Sequence, residues 1–257
     1  MAQKIAVTNI SSVGIIFRRD DPSQIFIEVK DDGHPIKLVR RQLCFIGGNW
    51  IGESAKLDVN PLATFRRELA EELSFDRPLR NSIELAKLGM ADAETFAPAL
   101  KAANTATMVS RRILTSVRRR MQRNAVPFGD FLNTVPKSAL DAADPENKRD
   151  GFTTLASYWA VPLGTVAWSD LQSLQDIFGN LSNESVTLIT SLDDIVKTNT
   201  KTSFCHDRVL QRFFLTFGYA AAKELPLVPG LESVPVGPPL ATYADYLERY
   251  EVAKRPV

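Results

Sequence analysis

From Asn60 to Leu73 the chain puts an apolar stripe on one side of a helix and three glutamates off it, downstream of a doubled glycine. Leu62, Phe65, Leu69 and Leu73 recur at offsets of three, four and four, the spacing of a core-facing helix surface. Asn60 is a strong N-cap residue, and Pro61 suits the first helical position, where its missing N–H costs nothing. Glu68 and Glu72 stack one turn apart with Glu71 beside them. As helix design this is poor. Like charges three or four positions apart destabilise a helix by roughly 0.2–0.5 kcal/mol per pair, and the macrodipole disfavours negative charge in the last turn. A divalent cation held by the three carboxylates reverses both effects. Arg67, four residues before Glu71, is placed to brace it by a charge-assisted hydrogen bond.

The rest of the chain offers strands for the stripe to pack on. Ala6–Phe17 and Gln24–Val29 read as a hairpin around a polar turn, and Ile36–Phe45 as a strand leading into the glycine loop. Ser82–Leu88 and Phe152–Leu163 are further strands, and Asp170–Phe178 is a short helical or loop excursion. Glu184 opens a segment with a strand and then a helix cap, up to Ile195. Asp207–Ala222 reads as the last long helix and Tyr243–Val252 as a short one. Alternating strands and helices of this kind specify an α/β fold.

The loop Gly47-Gly48-Asn49-Trp50-Ile51-Gly52-Glu53 and the run Arg67-Glu68-Leu69-Ala70-Glu71-Glu72 together resemble the signature of the Nudix hydrolases, Gly-x5-Glu-x7-Arg-Glu-U-x-Glu-Glu-x-Gly-U, where U is bulky and aliphatic. Either Gly47 or Gly48 can stand as the box glycine. The spacer from Glu53 to Arg67 is about six residues longer than in the family, Ser74 replaces the last glycine, and Phe75 is aromatic. A left-handed residue at the helix end costs a non-glycine roughly 1 kcal/mol, so Ser74 puts the helix terminus in question. The resemblance implies a Nudix-type α/β/α sandwich with a mixed sheet. It also implies Mg2+ or Mn2+ on Glu68, Glu71, Glu72, a Gly47 carbonyl and Glu184, the last aligned with an occasional extra carboxylate of the family. Glu53 and Arg67 then orient the helix carboxylates. One of the glutamates takes the proton of an attacking water. The activity implied is hydrolysis of a diphosphate linkage in a nucleoside diphosphate joined to another moiety. Trp50 and Arg41 are the candidates for substrate binding; Phe45, Tyr158 and Trp159 are further stacking candidates, set against a packing role.

Residues at about 91–150 differ in character and read as a helical insertion into a single domain spanning 1–257. Thr95–Ala106 and Met108–Asn124 look helical, and Asp141–Arg149 looks like a charged linker. The second helix carries Arg111, Arg112, Arg118, Arg119, Arg120 and Arg123. A solvated helix face explains these, as do a phosphate-rich substrate, RNA or a subunit interface. Beyond about residue 225 the chain becomes a proline-rich tail. The partner expected is a nucleotide substrate, with RNA along the Arg111–Arg123 helix and a second copy of the chain in a homodimer as further candidates. Two alternatives to a small-molecule hydrolase stand beside it: a Nudix-fold sensor or scaffold that binds a nucleotide without cleaving it, and a hydrolase of RNA 5′ ends.

Composition narrows the setting. The net charge of +1 supplies no global field toward nucleic acid or membrane. No run approaches eighteen apolar residues, so no membrane partner is expected. Two cysteines far apart in sequence make no disulfide framework, and cytoplasmic residence follows as the expectation. His206, alone near a helix start, reads as a cap or packing residue rather than a ligand.

Overall fold

The structure, a computed structural model, describes residues 4–52, 58–74, 93–183 and 185–253. The strands among them are β1 (Ile5–Val7), β2 (Asn9–Arg18), β3 (Asp21–Val29), β4 (Leu43–Cys44), β5 (Ile46–Asn49), β6 (Val126–Val135), β7 (Phe152–Leu163), β8 (Val186–Ser191), β9 (Glu232–Gly237) and β10 (Tyr250–Val252). The helices are α1 (Pro61–Glu72), α2 (Ala93–Asn124), α3 (Lys137–Ala143), α4 (Thr165–Phe178), α5 (Leu192–Thr198), α6 (His206–Thr216) and α7 (Tyr243–Arg249). Among the described residues no helix is long and apolar enough to cross a membrane.

Eight strands make one mixed sheet with β2 as its spine, antiparallel to β3 and β5 and parallel to β7. The hairpin strands β2 and β3 pair near their turn and then part. Into the gap runs the β4–β5 stretch, with β4 on β3 and β5 on β2. On the outer edge of β3 lies β8, and on the far side β7 is followed by β6 and β9. Alternation along the strands sends Ile16, Phe26, Trp159 and Val161 to one face, against α1, α2 and α4. Val13, Ile15, Ile27 and Tyr158 go to the other face, against α5 and α6. The result is an α/β/α sandwich with a mixed sheet.

Several segments depart from the sequence expectation. Ile36–Phe45 is not one strand: it holds a 3-10 turn at Lys37–Val39 and only two paired residues, Leu43–Cys44. Arg41 bends the chain with φ 56°, its N–H held by the Lys30 carbonyl at 2.8 Å. The stretch 91–150 is helical only in part. One continuous helix, α2, leads into β6, which pairs with both β7 and β9 and belongs to the main sheet. α4 starts at Thr165, earlier than expected, because Ala167, Trp168 and Leu171 all reach the core. α6 stops at Thr216, before Gly218 at φ 80°. The proline-rich tail is woven in: β9 extends the sheet, β10 pairs with β1, and α7 buries Tyr243 and Tyr246. Ser82–Leu88 lies outside the described residues.

α1 follows the expectation at its start and explains Ser74 at its end. Asn60 Oδ1 accepts the Ala63 N–H at 2.9 Å, and Phe65 packs over Gly14, where a Cβ would lie 2.5 Å from the ring. Ser12 Oγ donates to the Pro61 carbonyl at 2.6 Å and accepts Trp159 Nε1–H at 2.8 Å, pinning the first turn to the sheet. The last three carbonyls of the helix and that of the cap residue Leu73 all find donors. Arg118 Nη1 reaches those of Ala70 and Leu73, both at 3.2 Å. The Asn183 side chain takes that of Glu71 at 3.1 Å, and its backbone N–H that of Glu72 at 2.9 Å. No left-handed residue is needed, so serine stands where a glycine cap was expected. Arg118→Met, which keeps the apolar stem but removes both bonds, is expected to lower stability by about 1–3 kcal/mol in urea denaturation. Arg119→Gln, on the exposed side, is expected to stay within about 0.5 kcal/mol.

Candidate functional site

The site forms where β3, β5 and the end of α1 meet. Along β3 the residues Phe26, Glu28 and Lys30 face α1, because side chains alternate across a strand. Glu28 lies opposite Cys44 on one neighbour and Thr187 on the other and is fully buried. Lys30 Nζ stands 3.2 Å from Glu28 Oε2 and 3.3 Å from Ser185 Oγ. Glu28 Oε1 has no hydrogen-bond partner among the described residues. From α1, Glu72 is 3 % exposed and its Oε2 accepts the Gly47 N–H at 3.1 Å. Burial raises the Glu72 proton affinity well above the ordinary carboxylate range; Glu28 and Glu68 add to this and Lys30 opposes it. Burial works against the Lys30 ammonium, but Cys44, Glu28 and Glu72 outweigh it and hold its proton more tightly than usual.

Glu68 completes the group by lying over the glycine strand. A Cβ at Gly48 would fall 2.4 Å from its carboxyl carbon, so only glycine leaves room for the carboxylate there. Arg67 fixes the rim. It pairs with Asp58 through Nε at 2.9 Å and Nη2 at 3.0 Å, with Glu68 at 2.8 Å, with Glu71 at 2.8 Å, and with the Asn49 carbonyl at 3.0 Å. The fork of bonds, led by the one to Asp58, raises the guanidinium's proton affinity further.

The structure brings together Gly47, Arg67, Glu68 and Glu72, with the Gly47 N–H rather than its carbonyl turned to the cluster. Glu71 sits at the edge, its side chain 54 % exposed and bound to Arg67 as expected. Glu53 and Glu184 lie outside the described residues. The neighbours of Glu184 do touch the site: Asn183 caps α1 and Ser185 meets Lys30. Trp50 stacks on Tyr243 with centroids 4.4 Å apart, its Nε1 buried without a hydrogen-bond partner among the described residues, so that ring face holds the C-terminal helix rather than a base. Arg41 is exposed and forked onto Asp32 at 2.7 Å. Phe45, Tyr158 and Trp159 are all buried in the two cores. His206 stacks on Phe45 and accepts its N–H at 3.2 Å through Nδ1, so its ring face and that nitrogen are taken up in packing; burial pushes the imidazole down to about 3. Cys44 and Cys205 are buried, unpaired thiols raised to about 11 and about 12.

Sequence reasoning missed Glu28, Lys30 and Asp58. A signal existed for the first pair: Glu28 interrupts Ile25-Phe26-Ile27-Glu28-Val29 at a position whose neighbour Phe26 points inward, and Lys30 follows in the same phase. Asp58 carried none, since its role depends on how the chain approaches α1.

The donor chemistry fits a hard cation. The carboxylate oxygens present suit Mg2+ or Mn2+, with an orphaned buried oxygen on Glu28 and a cradle at Gly48 holding Glu68. It is not a finished coordination sphere: Glu72 is bonded to Gly47, Glu68 to Arg67, and no three acidic, imidazole or thiol side chains among the described residues are grouped tightly enough to hold a metal ion as they stand. No family model and no curated protein matches the chain.

The two glycines play separable roles. At Gly47 (φ 142°) a Cβ would meet the Ser12 carbonyl oxygen at 2.3 Å and Val13 Cα at 2.7 Å, both backbone, whereas at Gly48 it meets only the movable end of Glu68. Gly47→Ala is expected to cost about 2–4 kcal/mol. Gly48→Ala is expected to cost no more than about 1 kcal/mol while displacing the Glu68 carboxylate. Chemical denaturation and a crystal structure of the second variant check this.

Proposed function

We propose that this chain is a metal-dependent hydrolase that cleaves the diphosphate linkage of a nucleoside diphosphate joined to another moiety, with Mg2+ or Mn2+ as cofactor. The observation that carries it is the convergence of Glu28, Glu68 and Glu72 beside Gly47 and Gly48, three carboxylates gathered where two are withdrawn from water. The Nudix-like motif supports the same chemistry. Glu28, Glu68 and Glu72 would hold the cation, and when bound it would neutralise the diphosphate and acidify an attacking water.

The chain's own groups supply the rest. Glu68, with 15 % of its side chain exposed, is the carboxylate of the three that water can reach, which suits it to accept the proton of the attacking water. Arg67 holds Glu68 and Glu71 in place and is itself locked by Asp58, so the rim carboxylates keep a fixed direction. Glu72 ties the last turn of α1 to the glycine strand through Gly47. The buried, unpaired thiols fit a reducing compartment, and we place the activity in the cytoplasm.

A nucleotide sensor is the second reading, favoured by one observation. Lys30 already sits beside Glu28 as a built-in cation, and so part of the cluster's charge is neutralised without a metal. The two readings separate on one panel: ADP-ribose, diadenosine polyphosphates, NADH and nucleoside triphosphates, each with Mg2+. The hydrolase reading predicts turnover of at least one compound and a fall of about 10²–10⁴-fold in Glu68→Gln. Tight binding of one compound by the wild type with no turnover of any would establish the sensor.

A further inference from the structure

The most basic stretch of the chain lies outside the carboxylate site. From Met108 to Asn124 the helix α2 carries six arginines and no acidic residue, although Lys and Arg (31) nearly balance Asp and Glu (30) over the whole chain. Two rows along it share a four-three-four spacing. Ser110, Leu114, Val117 and Met121 are buried. Arg112, Ser116, Arg119 and Arg123 follow two residues later each time, about 200° round the helix, and all four are exposed. Arg118 belongs to neither row, because it caps α1.

Contacts fix one arginine of the exposed row and another beside it. Arg123 Nε donates to the Arg119 carbonyl at 3.3 Å. Arg66, exposed on α1, is fastened alongside by its Nε to the Gln122 carbonyl at 3.2 Å, and Gln122 Nε2 returns a bond to the Arg66 carbonyl at 3.1 Å. Three guanidinium groups over roughly 16 Å of helix, with a fourth beside them and the Ser116 hydroxyl between, form a line of donors for an anionic chain.

We propose that this row is a docking surface for the phosphate backbone of a single-stranded nucleic acid. The charge and the row's linear form require a polyanion, not a single small anion. Thr115, Ser116 and Gln122 fill the spaces between the arginines, and the exposed apolar side chains Met108 and Val109 lie beyond the Arg112 end of the row, too few to seat the helix in a bilayer. The row offers no aromatic ring for stacking, so recognition is of phosphates and is independent of base sequence. A flexible strand can follow a convex helix, which a rigid duplex touches over a shorter length. This surface is independent of the hydrolytic site.

The test is fluorescence anisotropy of the full chain with a labelled, unstructured twenty-nucleotide strand across a salt series, with duplex and anionic vesicles as parallel arms. About three phosphate contacts predict a slope of log K against log salt near −2. Arg112→Gln/Arg119→Gln/Arg123→Gln is expected to bind at least tenfold more weakly with a slope near zero and an unchanged melting temperature. The corresponding triple lysine variant is expected to keep the slope. Glu68→Gln is expected to bind as wild type does, which separates this surface from the hydrolytic reading. Absence of binding by the wild type, equal binding by the glutamine variant, or preference for the duplex or vesicles overturns the proposal.

Discussion

Carboxylates withdrawn from water next to one another repel, and a fold keeps them there only by setting cations and donors against them. In this protein Glu28 and Glu72 are buried with Glu68 close by, and the structure answers with Lys30, the Gly47 N–H and the Arg67 fork. That answer is incomplete. Glu28 keeps a buried oxygen without a hydrogen-bond partner among the described residues, and burial among like charges makes Glu72 bind its proton tightly. This uncompensated charge lies where the sheet, the doubled glycine and α1 meet.

The position of α1 makes the arrangement possible. Its first turn is tied to the sheet by Ser12, its apolar side seats Phe65 over Gly14, and its last carbonyls are taken by Arg118 and Asn183. The anchors come from three separate parts of the chain, β2, α2 and the segment before β8, so the helix cannot slide or rotate without breaking several contacts. The insertion region thus contributes to the site at one remove: α2 supplies the arginine that stops α1, and its other side is left to solvent. On the opposite rim, Tyr243 from the C-terminal segment covers Trp50, so the tail closes one flank of the glycine loop.

Much of this was legible in the sequence where a signal is local. The cap at Asn60, the stripe of α1, the bracing of Glu71 by Arg67 and the strand Phe152–Leu163 each depend on neighbours within a turn or on strict alternation, and each is present as read. What escaped depends on tertiary placement. Glu28 and Lys30 looked like ordinary strand residues until β4 and β8 enclosed β3 on both edges. Trp50 looked like a base-stacking residue because nothing nearby in sequence announces Tyr243, and β6 was absorbed into a supposed helical insertion because its partners, β7 and β9, lie far along the chain. Ser74 appeared as a defect only while the helix end was imagined without Arg118 and Asn183.

The claim beneath the functional reading is that this cluster of carboxylates takes up a divalent cation. Isothermal titration calorimetry of Mn2+ and of Mg2+ into the protein, alone and with a non-hydrolysable diphosphate dinucleotide, tests it most directly. Saturable uptake that is strengthened by the dinucleotide and weakened in Glu28→Gln is the predicted result. No uptake of either ion, with or without the dinucleotide, would contradict the account.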